Sequence, residues 1–182
     1  MSDIQPTARP RYSDAALPPY SYVPGFTPHP VSDPRGHMYG HRAATPNALD
    51  PQHWEESHAY RYGIDLFNHG FYWESHEAWE SLWHAAGRQG PVAVWLKALI
   101  KLAAAAVKLR EGNGAGALRH ARRSLELQAE LQATLPADER TFCGVLLSDG
   151  KEVALLITGE AEAGLPTPAP TRTLDAWMPL PI

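Results

Sequence analysis

The sequence predicts an all-α protein: a compact bundle of about five helices with an extended Pro-rich N-terminal arm and an irregular C-terminal tail. Three observations carry this reading. No run of residues shows the period-two alternation of a half-buried strand. Helix-forming segments punctuated by Gly, Asn and Pro fill the middle of the chain. Proline-rich, aperiodic sequence occupies its two ends. These composition changes divide the 182 residues into an arm over 1–49, a helical domain over 50–163 and a tail over 164–182.

The arm holds most of the prolines and no helical period. Its second half, "LPPYSYVPGFTPHPVSDPRGHMYGHR", interleaves Tyr20, Tyr22, Phe26 and Tyr39 with Pro and Gly, whereas chains that stay disordered are poor in aromatics. Residues 18–41 are therefore expected to lie against the domain, and residues 1–15 to be free. Asp50-Pro51 offers an N-cap and a first-turn proline for a helix that runs to Asn68, where Asn68-His69-Gly70 stops it. A second helix over about 71–86 ends at Gly87, and a third runs from Pro91 to Arg110 with Lys108 and Arg110 at its negative end. The fourth spans about 115–134, and the fifth is placed at 138–147 or 149–162. Short connections favour antiparallel neighbours. The tail cannot be helical, but Trp177, Met178, Leu180 and Ile182 give it reason to pack back on the bundle.

The net charge of −4 gives no reason to expect nucleic acid or an anionic membrane as partner. Arg119, Arg122 and Arg123 lie opposite Ala117, Ala121, Ser124, Gln128 and Leu131 without interleaved aromatics, so they read as a solvated face with Arg122 paired to Glu126. Cys143, the single cysteine, rules out an internal disulfide and reads as a small buried residue. "EGNGAG" lacks the lysine and preceding strand of a phosphate loop, and Ser148-Asp149 reads as a helix cap. Residues 92–109 carry Lys97, Lys101 and Lys108, which makes them an amphipathic helix and not a bilayer span. The first thirty residues show no basic start followed by an apolar run, so a cytoplasmic protein is expected.

Chemistry concentrates in "FYWESHEAWESLWH", residues 71–84. At 100° per residue Phe71, Ser75, Ala78, Leu82 and Ala86 form an apolar stripe, and Trp73, His76, Glu77, Glu80, Trp83 and His84 share the opposite side. Two indoles in water would leave much apolar area exposed, so this face is expected to be covered. Covered, His76, Glu77 and Glu80 each need a partner, because a buried unpaired carboxylate is costly.

One divalent metal, Zn, Mn or Fe, suits such a mixed imidazole and carboxylate set. The ligand reading is His76, Glu77 and Glu80, joined by His29 and His37 of the arm, with Asp65, His69, Trp73 and Trp83 as pocket walls. Lys97 and Lys101 lie opposite the third helix's stripe of Val92, Trp95, Leu96, Leu99, Leu102, Ala103 and Ala106, and are read as pointing elsewhere. "HEAWE" departs from the zincin motif at Glu80, and only Glu55/His58 fits the Glu-x-x-His pair of di-iron bundles. With a metal in place, hydrolysis or acid/base catalysis with Glu77 or Glu80 as base is the reaction class, on a small molecule the sequence does not identify. The alternative is a non-catalytic bundle in which the same residues form a buried polar network that fixes packing or mediates homo-oligomer contact.

Leu66-Phe67-Asn68, then Phe71, Trp73, His76-Glu77, Glu80 and Trp83, then the Ala-rich third helix and the Gly-Asn turn form one combination of motifs. Over about Tyr60 to Leu135 this resembles the domain of unknown function 309 family. The resemblance implies a small all-α fold and no established reaction or cofactor. The arm and tail exceed the minimal domain, so roles for His29, His37 or Trp177 are not inherited from it.

Overall fold

The computed structural model describes residues 9–41, 44–164 and 168–181. Five helices follow in order: α1 His58–Asn68, α2 Tyr72–Ala85, α3 Gly90–Arg110, α4 Gly114–Thr134 and α5 Leu147–Glu162. Helix α3 is central. It packs against α2, α4 and α5, while α1 packs on α2 and α5 on α4. Among the described residues, no helix is long and apolar enough to cross a membrane.

Local chemistry sets the helix ends. Helix α1 begins later than Asp50-Pro51 predicts, because the Asp50 carboxylate accepts from the Gln52 N–H at 2.9 Å and meets His53 at 3.1 Å, holding a turn. A 3-10 turn, Trp54–Glu56, follows, and the Ser57 hydroxyl then caps α1 by accepting from the Tyr60 N–H at 3.3 Å. Gly87 and Arg88 both take positive φ after α2, and the Arg88 N–H returns to the Trp83 carbonyl at 3.2 Å, a left-handed stop. Asn113 caps α4 through the Gly116 N–H at 2.8 Å.

The fifth region departs from both placements. Thr141–Phe142 (β1) and Val145–Leu146 (β2) form a two-stranded antiparallel hairpin, and α5 starts directly after it. Two-residue strands are too short to leave a period in the sequence. Ser148 and Asp149 therefore lie inside the first turn of α5, whose N-cap is Leu146, and do not cap it.

The core runs along α3, with Trp95, Leu96, Leu99, Leu102 and Ala103 fully buried, and reaches Tyr60, Trp79 and Leu82. Two buried polar pairs lie there: the Trp95 Nε1–H donates to the Tyr60 hydroxyl at 3.0 Å, and the Ser124 hydroxyl to the Ala98 carbonyl at 2.9 Å. Ala117, Ala121, Ser124, Gln128 and Leu131 face inward on α4, as their spacing predicts. Arg123 pairs with Glu126 at 2.7 Å and Arg122 with Glu162 at 3.2 Å, in place of the predicted Arg122–Glu126 pair. Cys143 is buried, which pushes its thiol well above the ordinary range and leaves no reactive thiolate near neutral pH.

Both terminal segments lie on the bundle, and four buried polar side chains hold them. Asp65 accepts from the N–H groups of Tyr12 and Ser13 at 2.7 and 2.9 Å and from the Ser13 hydroxyl at 2.6 Å, with Arg11 at 3.1 Å. Asn68 exchanges two hydrogen bonds with the backbone of Met178, at 2.8 and 2.9 Å. Arg110 lies over the Tyr72 ring at 4.5 Å, donates to the Arg172 carbonyl at 2.6 Å and reaches the Ser21 hydroxyl at 2.9 Å. Glu74 accepts from the Tyr22 N–H at 2.8 Å.

Residues 9–15 are thus anchored, contrary to the composition, which carries no sign of a single buried aspartate waiting for them. Residues 1–8 and Ile182 lie outside the described residues. Met178 and Leu180 of the tail are buried, and Trp177 is half-buried.

Candidate functional site

Helix α2 buries Tyr72, Glu74, Ser75, Trp79 and Leu82. Its core face is thus wider than the stripe through Phe71, Ser75, Ala78 and Leu82 and is turned toward Tyr72 and Trp79. His76, Glu80 and Trp83 are left on the flank of this face, half-buried, while Glu77 and His84 are exposed.

On that flank one ligating atom each from His76, Glu77 and Glu80 lies within 4.8 Å of the others. His76 Nδ1 stands 3.3 Å from a Glu77 carboxylate oxygen, with side-chain exposures of 26% and 47%. Metal–ligand bonds of about 2.0–2.2 Å place ligand atoms at most about 4.4 Å apart.

The flank opens on a groove of about 140 Å³, lined by His76, Glu80 and Trp83 from α2 and by Lys97, Ile100 and Lys101 from α3. The two lysines thus border the site that sequence reasoning separated from them. The cause is the central place of α3: its far side is itself the seam with α2. Lys97 Nζ lies 5.8 Å from the Trp83 ring centroid, and the Arg88 guanidinium 5.2 Å from the same ring. Burial first, then the charges of Lys101, Arg119 and Lys108, lower the pKa of His120 on α4.

The other predicted site residues lie elsewhere. His29 Nδ1 accepts from the N–H groups of Val31 and Ser32, both at 3.2 Å, while its ring packs edge-on against Trp73 at 5.3 Å. Together with Tyr22, at 5.2 Å, it covers the Trp73 indole, so the arm does shield that end of α2. His37 is at Glu74, its Nε2 3.8 Å from the carboxylate. Asp65 belongs to the arm anchor, and His69 Nδ1 contacts the Asp65 carbonyl at 2.8 Å. Glu55 is exposed, and His58 faces Asp14 at 3.4 Å. Among the described residues, His76, Glu77 and Glu80 are the group of three whose ligating atoms converge. A larger cleft, about 510 Å³ and lined by residues between Ala44 and Ala59, gathers no such set.

A search of curated proteins finds no match to this chain. Residues 60–120 match the family model DUF309, domain of unknown function. The matched segment contains α1, α2 and α3 almost whole, and with them His76, Glu77, Glu80, Lys97 and Lys101. It also contains Asp65, Asn68, Glu74 and Arg110, whose partners in the arm and tail lie outside it.

Sequence reasoning passed over Glu74, which reads as an ordinary acidic residue in a helix's first turn. Its side chain is only 7% exposed, as is that of His37. Glu74 Oε2 and His37 Nδ1 are both buried without a partner. Burial raises the Glu74 carboxyl, against the opposing pull of the Tyr22 N–H and Arg110, and burial lowers His37.

The two shifts act on stability with opposite signs. A raised carboxyl makes the folded state hold its proton, so stability falls as pH rises from 4.5 through the folded value. A lowered imidazole makes stability rise with pH up to 6.5. Glu74→Gln keeps the acceptor for Tyr22 and removes the first contribution. Urea midpoints of this variant measured between pH 5 and 7 are therefore expected to climb with pH more steeply than those of the native chain; an unchanged slope refutes the assignment.

Proposed function

We propose that the protein binds one divalent metal ion through His76, Glu77 and Glu80 and uses it in metal-assisted hydrolysis of a small molecule. The observation that supports the reading is the convergence of three ligating atoms within 4.8 Å on a half-covered helix flank that opens on a groove. Three ligands from one side leave coordination positions free for water and substrate, the arrangement of catalytic metal sites. Imidazole with two carboxylates suits Zn, Mn or Fe. The metal would supply the charge that activates a water; of the two carboxylates, exposed Glu77 has the greater freedom to serve as the base, and Glu80, beside Trp83 in the groove, would serve as ligand.

The non-catalytic alternative changes form against the geometry. The cluster is half open, and the buried network is built instead by Asp65, Asn68, Glu74 and Arg110. The 3.3 Å His76–Glu77 contact favours a surface ion pair as the competing account.

Elemental analysis of protein purified without nickel resin or chelator separates the two. The metal reading expects one equivalent of metal, and a fall in affinity of about 100-fold or more in the His76→Ala/Glu80→Ala double variant. Because both side chains are half-exposed, the variant's unfolding midpoint without metal is expected to stay near that of the native chain. Metal-free native protein that takes up no Zn, Mn or Fe on titration leaves the ion pair as the account.

A further inference from the structure

The groove beside the candidate metal site has a wall that the ligand set does not use. Lys97 and Lys101, one turn apart on α3, line it opposite His76 and Glu80. Among the described residues neither lysine has a carboxylate within 4.0 Å, although Glu80 lines the same groove. Lys108, on the same helix, by contrast pairs with Glu111 at 2.6 Å. Two ammonium groups with no described carboxylate within 4.0 Å therefore share about 140 Å³ with Trp83, His76 and Glu80.

We infer that the groove binds a phosphate-bearing small molecule whose phosphate bridges a divalent ion on His76, Glu77 and Glu80 to the ammonium groups of Lys97 and Lys101. The inference rests on the metal reading above. A phosphate monoester carries three free oxygens, enough for one contact to the metal and one to each lysine, whereas a carboxylate has two. Lysine serves phosphate as a point charge and needs no planar register. The volume holds a phosphate group but falls short of the roughly 300 Å³ at which pockets for whole drug-sized ligands begin. The organic part accordingly projects past Trp83 toward solvent.

Metal and phosphate bound to one another must tighten each other equally. The experiment titrates the full chain with Mn²⁺, followed by electron paramagnetic resonance, with and without inorganic phosphate at low ionic strength. Phosphate is expected to tighten Mn²⁺ by about tenfold in the native chain. The gain should vanish in Lys97→Gln/Lys101→Gln and persist in Lys97→Arg/Lys101→Arg, which keeps the charges. Mn²⁺ binding that is indifferent to phosphate overturns the inference and leaves the metal site standing, and so does a gain that survives Lys97→Gln/Lys101→Gln. A native chain that takes up no Mn²⁺, Zn²⁺ or Fe²⁺, with or without phosphate, removes the metal reading, and the bridged phosphate with it.

Discussion

Asp65→Ala is expected to loosen the first described residues of the chain and to lower its stability by about 3 kcal/mol. Asp65 is fully buried and accepts three hydrogen bonds from Tyr12 and Ser13, with the Arg11 guanidinium beside it. Alanine leaves those donors facing a methyl group. Each buried donor without a partner costs about 1–3 kcal/mol, and more next to a charge. The full sum is not reached, because the segment can leave the surface and give its donors to water. Its docking energy is then the ceiling on the loss.

Within the segment Arg9 still donates to the Asn68 and Leu174 carbonyls and Arg61 to the Tyr12 carbonyl, and the anchors further along are separate. Ser21, Tyr22 and Ala16 bond to Arg110, Glu74 and Tyr62, so residues past Ala16 keep their seat when Asp65 is lost. Two measurements check this: the urea midpoint, and proteolysis confined to the neighbourhood of residues 9–15. An unchanged midpoint with no new cleavage contradicts the anchor. Asp65→Asn, which keeps one acceptor oxygen, is expected to fall between the two.

That anchor marks where sequence reasoning stopped. Helices α2, α3 and α4 were legible because each is bounded by strong local chemistry: Gly87, Pro91, the Gly-Asn turn and Pro136. The inward face of α4 was legible as well, since Ala117, Ala121, Ser124, Gln128 and Leu131 all pack against neighbours on one side. Helix α1 offered two competing caps, and Ser57 took the role because Asp50 was engaged with Gln52 and His53.

The candidate ligands His76, Glu77 and Glu80 were legible from spacing on one helix, which is why they could be named at all. Their surroundings were not. Which helix supplies the facing wall depends on how α2 and α3 cross, a tertiary fact, and so Lys97 and Lys101 were assigned away from the site they border. His29 and His37 look like ligands only until their neighbours are known: Trp73 takes the one and Glu74 the other. Likewise, nothing in a lone glutamate in a first helical turn reports that an arm more than fifty positions earlier in the chain will cover it.

The same limit explains Trp79, which belongs to neither drawn stripe of α2 and yet is fully buried. Trp79→Ala is expected to cost about 3–5 kcal/mol, the range for a large aromatic lost from a core. Its indole packs at 5.8 Å from the Phe67 ring and lies directly on Gly63 of α1, where an added Cβ would stand 2.3 Å from Nε1. Alanine in place of glycine inside a helix usually adds about 1 kcal/mol of stability. Here the sign reverses. The contact is with a rigid, buried ring that cannot swing away, and overpacking of this kind costs about 1–3 kcal/mol.

Gly63→Ala alone is therefore expected to destabilise. In a Trp79→Ala background the clash is gone, the methyl group enters the vacated space, and the helix-propensity gain returns. The double variant should accordingly be more stable than Trp79→Ala, and the mutant cycle measured by urea denaturation should show a coupling of at least about 1 kcal/mol. Additive losses would mean that α1 and α2 separate enough to admit the methyl group, and that Gly63 is not what lets the two helices meet so closely. The indole Nε1–H has no partner in this position. Trp79→Phe is for that reason expected to cost well under the alanine variant, since it removes an unpaired donor together with part of the ring.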